Sequence, residues 1–250
     1  MIPITPSFRL EGKRALVTGA GRGIGLAAAA ALAEYGAQVT LVARSESEIA
    51  AAAKAIGNGA EYATLDVSDL ADVRQFFAHH DPFHILVNNA GTNRPMPMWQ
   101  VEEDDFDAVL DLNLKSAFFV AQACARRLIE VGEKGSLIHM GSQMGHVGGP
   151  NRSLYCASKW ALEGMNKALA LDLAPHGIRS NTIAPTFIET PLTKPYFENA
   201  EFLASVLSKI KLGRLGQVED LMGAVVFLAS DASALMTGTS MVIDGGWTAE

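Results

Sequence analysis

Short runs of β-branched and apolar residues alternate along the chain with longer stretches whose apolar positions recur every three or four residues. Residues 14–18 and 38–43 predict strands, with a helix over 24–35 between them. Residues 61–65 and 84–88 continue the series, separated by a helix near 69–79. Residues 136–140, 178–183 and 240–243 supply three further strands. Helical patterns cover roughly 104–131, in two pieces, then 153–173 and 218–229. Strand–helix alternation of this kind predicts an α/β, doubly wound, seven-stranded parallel sheet with helices on both faces. Its crossovers should be right-handed.

No repeat, low-complexity stretch or linker divides residues 1–250, so one domain is expected. The long irregular stretch is 184–199, which carries Pro185, Pro191 and Pro195. Such a loop in a compact domain is a lid or binding segment, here expected over about residues 184–210. Apolar residues make up 49% of the chain, enough for a large core. Lys+Arg 20 against Asp+Glu 27 leaves a net charge of −7, which repels nucleic acid phosphates and anionic lipid and argues against both as partners.

Cys124 and Cys156 have neither metal-ligand nor disulfide spacing. Cys156 adjoins Tyr155, so a catalytic thiol is one reading and a small packed residue the other. None of the histidines has metal-site spacing, and no metal is expected. Residues 1–14 lack the basic-then-apolar pattern of a signal peptide. No apolar segment approaches the ~20 residues a membrane helix needs, so a soluble cytoplasmic protein is expected.

Thr18-Gly19-Ala20-Gly21-Arg22-Gly23-Ile24-Gly25 follows the first strand and opens the first helix. Glycines let a backbone approach a ligand, and a helix N-terminus offers free N–H groups suited to pyrophosphate. The spacing differs from G-x-G-x-x-G. Roughly twenty residues on, a NAD-binding protein places an acid on the adenosine ribose. Here Ala43 and Arg44 stand at that point, and no acid occurs between Gln38 and Arg44. Arg22 and Arg44 suit a 2′-phosphate, so NADP is expected, with NAD the alternative and solvated surface arginines the bland reading.

Asn88-Asn89-Ala90-Gly91 closes the fourth strand, Asn113 lies in a helical segment, and Ser142 follows the fifth strand. Tyr155 stands thirteen residues after Ser142, and Lys159 falls one turn later on the same helical face. Reducing a carbonyl puts charge on its oxygen, so a proton donor must sit there. An ammonium about 4 Å from a phenol, at an effective dielectric of ~20, favours phenolate by up to roughly 4 kcal/mol before desolvation opposes it. A tyrosine beside a lysine can therefore exchange a proton with a substrate oxygen.

From about Leu10 to Gly246 the chain resembles the short-chain dehydrogenase/reductase family. It matches T-G-x3-G-x-G as Thr18 to Gly25, N-N-A-G as Asn88 to Gly91 and Y-x3-K as Tyr155 to Lys159. The closing Asp244-Gly245-Gly246 fits as well. The resemblance implies a Rossmann-like fold and a catalytic set of Asn113, Ser142, Tyr155 and Lys159, with Asn113 fixing a water that leads from Lys159 to solvent. It implies that Gly19, Gly21, Arg22, Gly23, Ile24, Gly25 and Arg44 meet the cofactor, together with Asp66 and Val67 at the adenine. Asn89, Ala90, Gly91, Tyr155, Lys159, Pro185, Ile188 and Thr190 would meet the rest of it. One departure is visible: the family's Pro-Gly is Pro185-Thr186 here.

Substrate groups should border Ser142 and Tyr155. Arg94, Gln143 and Arg152 are the candidates, and either arginine could hold a carboxylate. Gly213-Arg214-Leu215-Gly216 with Val218-Glu219-Asp220-Leu221 looks like the sugar-acid and polyol dehydrogenases of the gluconate 5-dehydrogenase type. The expected function is NADP(H)-dependent hydride transfer at a secondary alcohol or ketone of a sugar, sugar acid or polyol. The rivals are a 3-oxoacyl-(acyl-carrier-protein) reductase, which should show a basic patch such as Arg126-Arg127, and a nucleotide-binding regulator without catalysis. Family members pair through helices matching 115–131 and 153–173, so a homotetramer is the default expectation. Ala157, Ala161, Met165 and Leu169 could equally pack on the sheet.

Overall fold

A computed structural model describes residues 2–249. Seven parallel strands form one sheet in the order β3-β2-β1-β4-β5-β6-β7. They are β1 Arg14–Thr18, β2 Gln38–Ala43, β3 Glu61–Thr64, β4 Ile85–Asn88, β5 Gly135–Met140, β6 Ile178–Pro185 and β7 Ser240–Ile243. The helices are α1 Gly23–Glu34, α2 Glu46–Ile56, α3 Leu70–His79, α4 Glu103–Leu110, α5 Ser116–Val131, α6 Ser153–Leu173, α7 Ala200–Leu207 and α8 Glu219–Ala229.

Alternation along the strands feeds two cores. Ala15, Val17, Val39, Leu41, Ile85 and Val87 point to one side, where α1, α2 and α8 cover them. Leu16, Leu86 and Leu137 point to the other, against Val73 and Phe77 of α3 and Val120, Cys124 and Leu128 of α5. Burial on both faces explains why these strands read as continuous apolar runs.

Three expectations change. The sequence reading passed over α2, an alanine-rich helix that buries only Ile49, Ala52 and Ala53. Residues 184–210 are more ordered than a loop: β6 runs on to Pro185, a short 3-10 turn spans Lys194–Glu198, and α7 follows. The continuous run Glu103–Val131 is, by length and composition alone, long and apolar enough to cross a bilayer, contrary to the expectation. In the fold, Ala117, Val120, Ala121, Cys124, Ala125 and Leu128 of that run are buried against the sheet.

A turn of π-helix, Asp111–Lys115, joins α4 to α5. Such turns recur at functional sites because they re-aim side chains and loosen the local backbone ladder. Asn113 sits inside this one. On α6 the buried face carries Leu154, Ser158, Lys159, Leu162, Glu163 and Asn166, an unusually polar set. Of the apolar row, Ala157 is exposed and Ala161 and Met165 are half-buried, while Leu169, also half-buried, packs against the core under the sheet.

Candidate active site

The chain leaves β1 and β4, neighbours in the sheet, toward opposite sides, and a crevice opens at their carboxyl ends. A cleft of about 620 Å³ lies there. Thr18 Oγ1 accepts hydrogen bonds from the Asn89 and Ala90 amides at 2.9 and 3.0 Å. Asn89 Nδ2 donates to the Thr18 and Gly19 carbonyls at 3.0 and 3.2 Å. The two loops are thereby clasped.

Gly19, Gly21, Arg22, Gly23 and Ile24 line the cleft, as do Asn89, Ala90, Gly91, Pro185, Ile188 and Thr190. Gly25 does not. It is buried behind the loop, where an added Cβ would lie 2.3 Å from the Gly19 carbonyl oxygen and 2.6 Å from Asn89 Nδ2. Arg22, at the N-cap of the 12-residue α1, gives no side-chain cap, so the helix's first amides have no side-chain partner there. A tight glycine turn, φ +63° at Gly19, and uncapped amides together fit a dinucleotide pyrophosphate.

Arg44, exposed at the end of β2, and Asp66 and Val67, after β3, form the far end of the cleft. Burial acts to raise the Asp66 pKa. The Ser68 hydroxyl at 2.6 Å, its amide at 2.9 Å and the charge of Arg44 outweigh that and hold it below the ordinary value. The sequence reading missed Glu48, on the first turn of α2. It lines the same end, 3.4 Å from Arg22 Nη1. Its position beyond Arg44 carries no spacing signal, and only the return of α2 over the glycine loop brings Glu48 near.

The other end of the cleft gathers Ser142, Gln143, Arg152, Tyr155 and Lys159. Ser142 is buried, and its hydroxyl donates to Gln143 Oε1 at 2.9 Å while accepting from the Met144 amide at 3.1 Å. Lys159 is buried too; its Nζ donates to the Met140 carbonyl at 2.8 Å and lies 5.6 Å from the Tyr155 ring centre. Burial pulls the Lys159 pKa down to about 8, against the opposing charge of Glu163. Burial likewise raises the Tyr155 pKa, outweighing the Ser142 hydroxyl and the charge of Arg152. Desolvation, which was expected to oppose the field of the lysine, is the largest influence on the phenol, so Tyr155 is a proton donor at neutral pH.

Asn113 is not on the cleft wall. Its Oδ1 accepts from the Thr92 amide at 2.7 Å, and its Nδ2 donates to the Thr92 carbonyl at 2.9 Å and Ser158 Oγ at 3.0 Å. Both amide protons are therefore engaged, and the side chain ties the π-turn to the loop after Gly91 and to α6. Arg94 is also outside the cleft: its Nη1 is held by Asp105 at 2.7 Å and the Asp104 carbonyl at 3.3 Å. The expectation that it faces substrate does not hold, because the nearby acidic turn of α4 captures it. Arg152 has no ion-pair partner among the described residues, and its guanidinium lies 5.3 Å from the Phe187 ring centre.

Residues 19–248 match a family profile described as enoyl-(acyl carrier protein) reductase. The gluconate 5-dehydrogenase of Gluconobacter oxydans is 38% identical over 248 residues, covering 96% of each chain. The chain belongs to the short-chain dehydrogenase/reductase family. The L-xylulose reductase of Bos taurus, another relative of this dehydrogenase/reductase, is 35% identical over 242 residues, covering 97% of this chain and 99% of the relative. The crystal structure of a gluconate 5-dehydrogenase from Burkholderia cenocepacia in complex with NADP and tartrate superposes with a TM-score of 0.93 at 40% identity, over 97% of this chain and 98% of that one.

This short-chain oxidoreductase should tolerate no side chain at Gly25. Gly25→Ala is expected to cost about 1–3 kcal/mol through forced separation of the clasped loops. A lower Tm and a weaker dinucleotide fluorescence titration should appear together; an unchanged Tm would contradict the packing.

Proposed function

We propose that this oxidoreductase uses NADP(H) to interconvert a secondary alcohol and a ketone on a sugar, sugar acid or polyol. The observation carrying this reading is the convergence of Ser142, Tyr155 and Lys159 at one end of the cleft whose other end is the glycine loop. Asn93, Gln143 and Arg152 add polar groups beside them, which suits a substrate rich in oxygens. Relatives named for gluconate, galactitol and L-xylulose support the class.

A bound nicotinamide supplies or accepts the hydride. Tyr155 donates a proton to the substrate oxygen during reduction and takes it back during oxidation. Ser142 holds that oxygen with its hydroxyl. Lys159, as an ammonium, favours the phenolate needed for oxidation, and its donors would hold the nicotinamide ribose. Asn113 holds the π-turn and α6 in place for a water-borne proton path. Arg44 and Arg22 take the adenosine 2′-phosphate. The NADP in the Burkholderia relative supports that choice. Arg152 takes a substrate carboxylate, and the segment over residues 184–210 closes on the cleft as a lid.

Assembly as a homotetramer through α5 and α6 is part of the same reading. Trp160 and Leu171 on α6, 53% and 78% exposed, give those helices an apolar outer face. The acyl-carrier reading needs a basic docking patch, and of its candidate pair Arg127 is tied to Glu130 at 2.7 Å.

Four measurements test the proposal. Purified protein is offered aldonic acids, polyols and 3-hydroxyacyl thioesters with NADP+ and NAD+ in parallel. Turnover should be confined to the first two classes; thioester turnover alone would shift the assignment to an acyl reductase. Tyr155→Phe should lower kcat by roughly two to four orders of magnitude while dinucleotide affinity holds, as for loss of a general acid. Arg44→Ala should raise KM for NADP+ roughly 10- to 100-fold, the worth of a charge-assisted hydrogen bond, and leave NAD+ nearly unaffected. Equal effects on both cofactors would show that Arg44 faces solvent. Arg152→Gln should raise KM for aldonic acids and spare neutral polyols; a uniform change would remove Arg152 from carboxylate recognition.

A further inference from the structure

Glu163 lies one helical turn beyond Lys159 on α6, on the same buried face as Tyr155 and Lys159, and is only 7% exposed. Its Oε2 accepts a hydrogen bond from Thr182 Oγ1 at 2.7 Å. Its Oε1 is buried with no hydrogen-bond partner. A carboxylate kept only for packing would be expected to have both oxygens bonded, because an unsatisfied buried charge is costly. The groups that can answer its charge are His146, with Nε2 3.7 Å from Oε1, and Lys159, one turn earlier on the same buried face.

The backbone around it leaves room for the carboxylate alone. A Cβ added at Gly141, the residue before Ser142, would lie 2.7 Å from Oε1. One added at Gly145 would lie 3.2 Å from Glu163 Cγ and 3.1 Å from the Lys159 carbonyl oxygen. The loop carrying Ser142 is thus shaped around Glu163.

Few other charges face Lys159. Tyr155 and Glu163 share its helix. From β5, His139 is buried, and desolvation, then the charge of Lys159, lowers its pKa to about 4, so it is neutral. The turn after β5 contributes His146, whose Nε2 is 3.7 Å from Glu163 Oε1 and 2.9 Å from Ser240 Oγ. β6 contributes the uncharged Thr182, and the π-turn contributes Asn113 through Ser158. Arg152 and Cys156 act on Tyr155 from the N-terminal end of α6. Among the described residues, Glu163 is the anion whose charge acts on Lys159.

We propose that Glu163 is a positioning residue that keeps Lys159 an ammonium over the pH range in which Tyr155 exchanges its proton. The inference rests on the catalytic reading of Tyr155 and Lys159 above. The sign follows directly: removing the anion removes support for the ammonium, so Lys159 loses its proton at lower pH. Burial already brings that event to about 8, so a further fall moves it into the neutral range.

The test is a titration of Lys159 by NMR of lysine labelled with 13C at Cε, assigned with Lys159→Met, in wild type and Glu163→Gln. The midpoint should fall by roughly one pH unit or more in the variant. Thr182→Val, which removes the hydrogen bond but keeps the charge, should leave the midpoint near wild type. In the reduction direction, the alkaline limb of kcat should move to lower pH in Glu163→Gln while the plateau below it is kept. Glu163→Asp, with the charge drawn back by one methylene, gives the same comparison if the Gln variant does not fold, with a smaller fall. An unmoved midpoint in a folded variant overturns the proposal. If no substrate turns over, the titration still reads the field of Glu163, so failure of the functional reading and of this one are separately visible.

Discussion

The clasp between the ends of β1 and β4 is the constraint on which the site depends. Thr18–Gly19 and Asn89–Ala90 exchange four hydrogen bonds across the two loops, each worth only about 0.5–1.5 kcal/mol net. Their weight lies in placement. They fix the glycine turn against Asn89–Gly91, so α1 starts with its amides facing the cleft. Gly25 is needed for the same reason: the carbonyl it packs against belongs to the clasped loop.

Behind the cleft, a second polar system ties strands to helices without adding charge. Asn88 Nδ2 donates to the Ala117 carbonyl at 2.6 Å and stands 3.4 Å from His139 Nδ1, so that nitrogen accepts. His139 Nε2 then donates to Ser180 Oγ at 3.2 Å, Ser180 to Asn166 Oδ1 at 2.8 Å, and Asn166 Nδ2 to the Thr239 carbonyl at 3.1 Å. Each donor meets an acceptor, which lets β4, β5, β6 and α6 bury polar groups at little cost. Ionisable groups near Tyr155 are treated differently. Lys159 is buried with one backbone carbonyl and Glu163 with one hydroxyl, and the charge of Glu163 supports the ammonium of Lys159. Structural polarity is neutral and saturated, while the polarity beside the reacting tyrosine is charged and incompletely bonded.

The conformation of α6 shows how local pattern and tertiary context divide the information. Tyr155 and Lys159 share a face because of the helical repeat, which can be read from spacing alone. That the same face carries Ser158, Glu163 and Asn166 into the interior was not expected, since an apolar row at 157, 161, 165 and 169 offered the simpler packing. The buried face is polar because it meets polar positions on the neighbouring elements: Thr182 and Ser180 of β6 and Asn113 of the π-turn. Hydropathy cannot anticipate that match.

Strand spacing, apolar runs and the glycine, Asn-Asn-Ala-Gly, serine and Tyr-x3-Lys motifs were legible because they are local: each depends on residues a few positions apart. The parallel sheet, the position of the cleft and the end holding Ser142, Tyr155 and Lys159 followed from them. Four features needed the folded chain. Glu48 approaches Arg22 only because α2 turns back over the glycine loop. Arg94 is lost to Asp105 when α4 folds beside it, whereas Arg152 is left facing the cleft. The Tyr155 pKa is raised because burial outweighs the Ser142 hydroxyl and the charge of Arg152. Glu163 is enclosed one turn from Lys159 because Gly141 and Gly145 let the serine loop close over it. All four concern which charges end up near one another and how much water remains between them, and those quantities depend on distances across the fold, not on position along the chain.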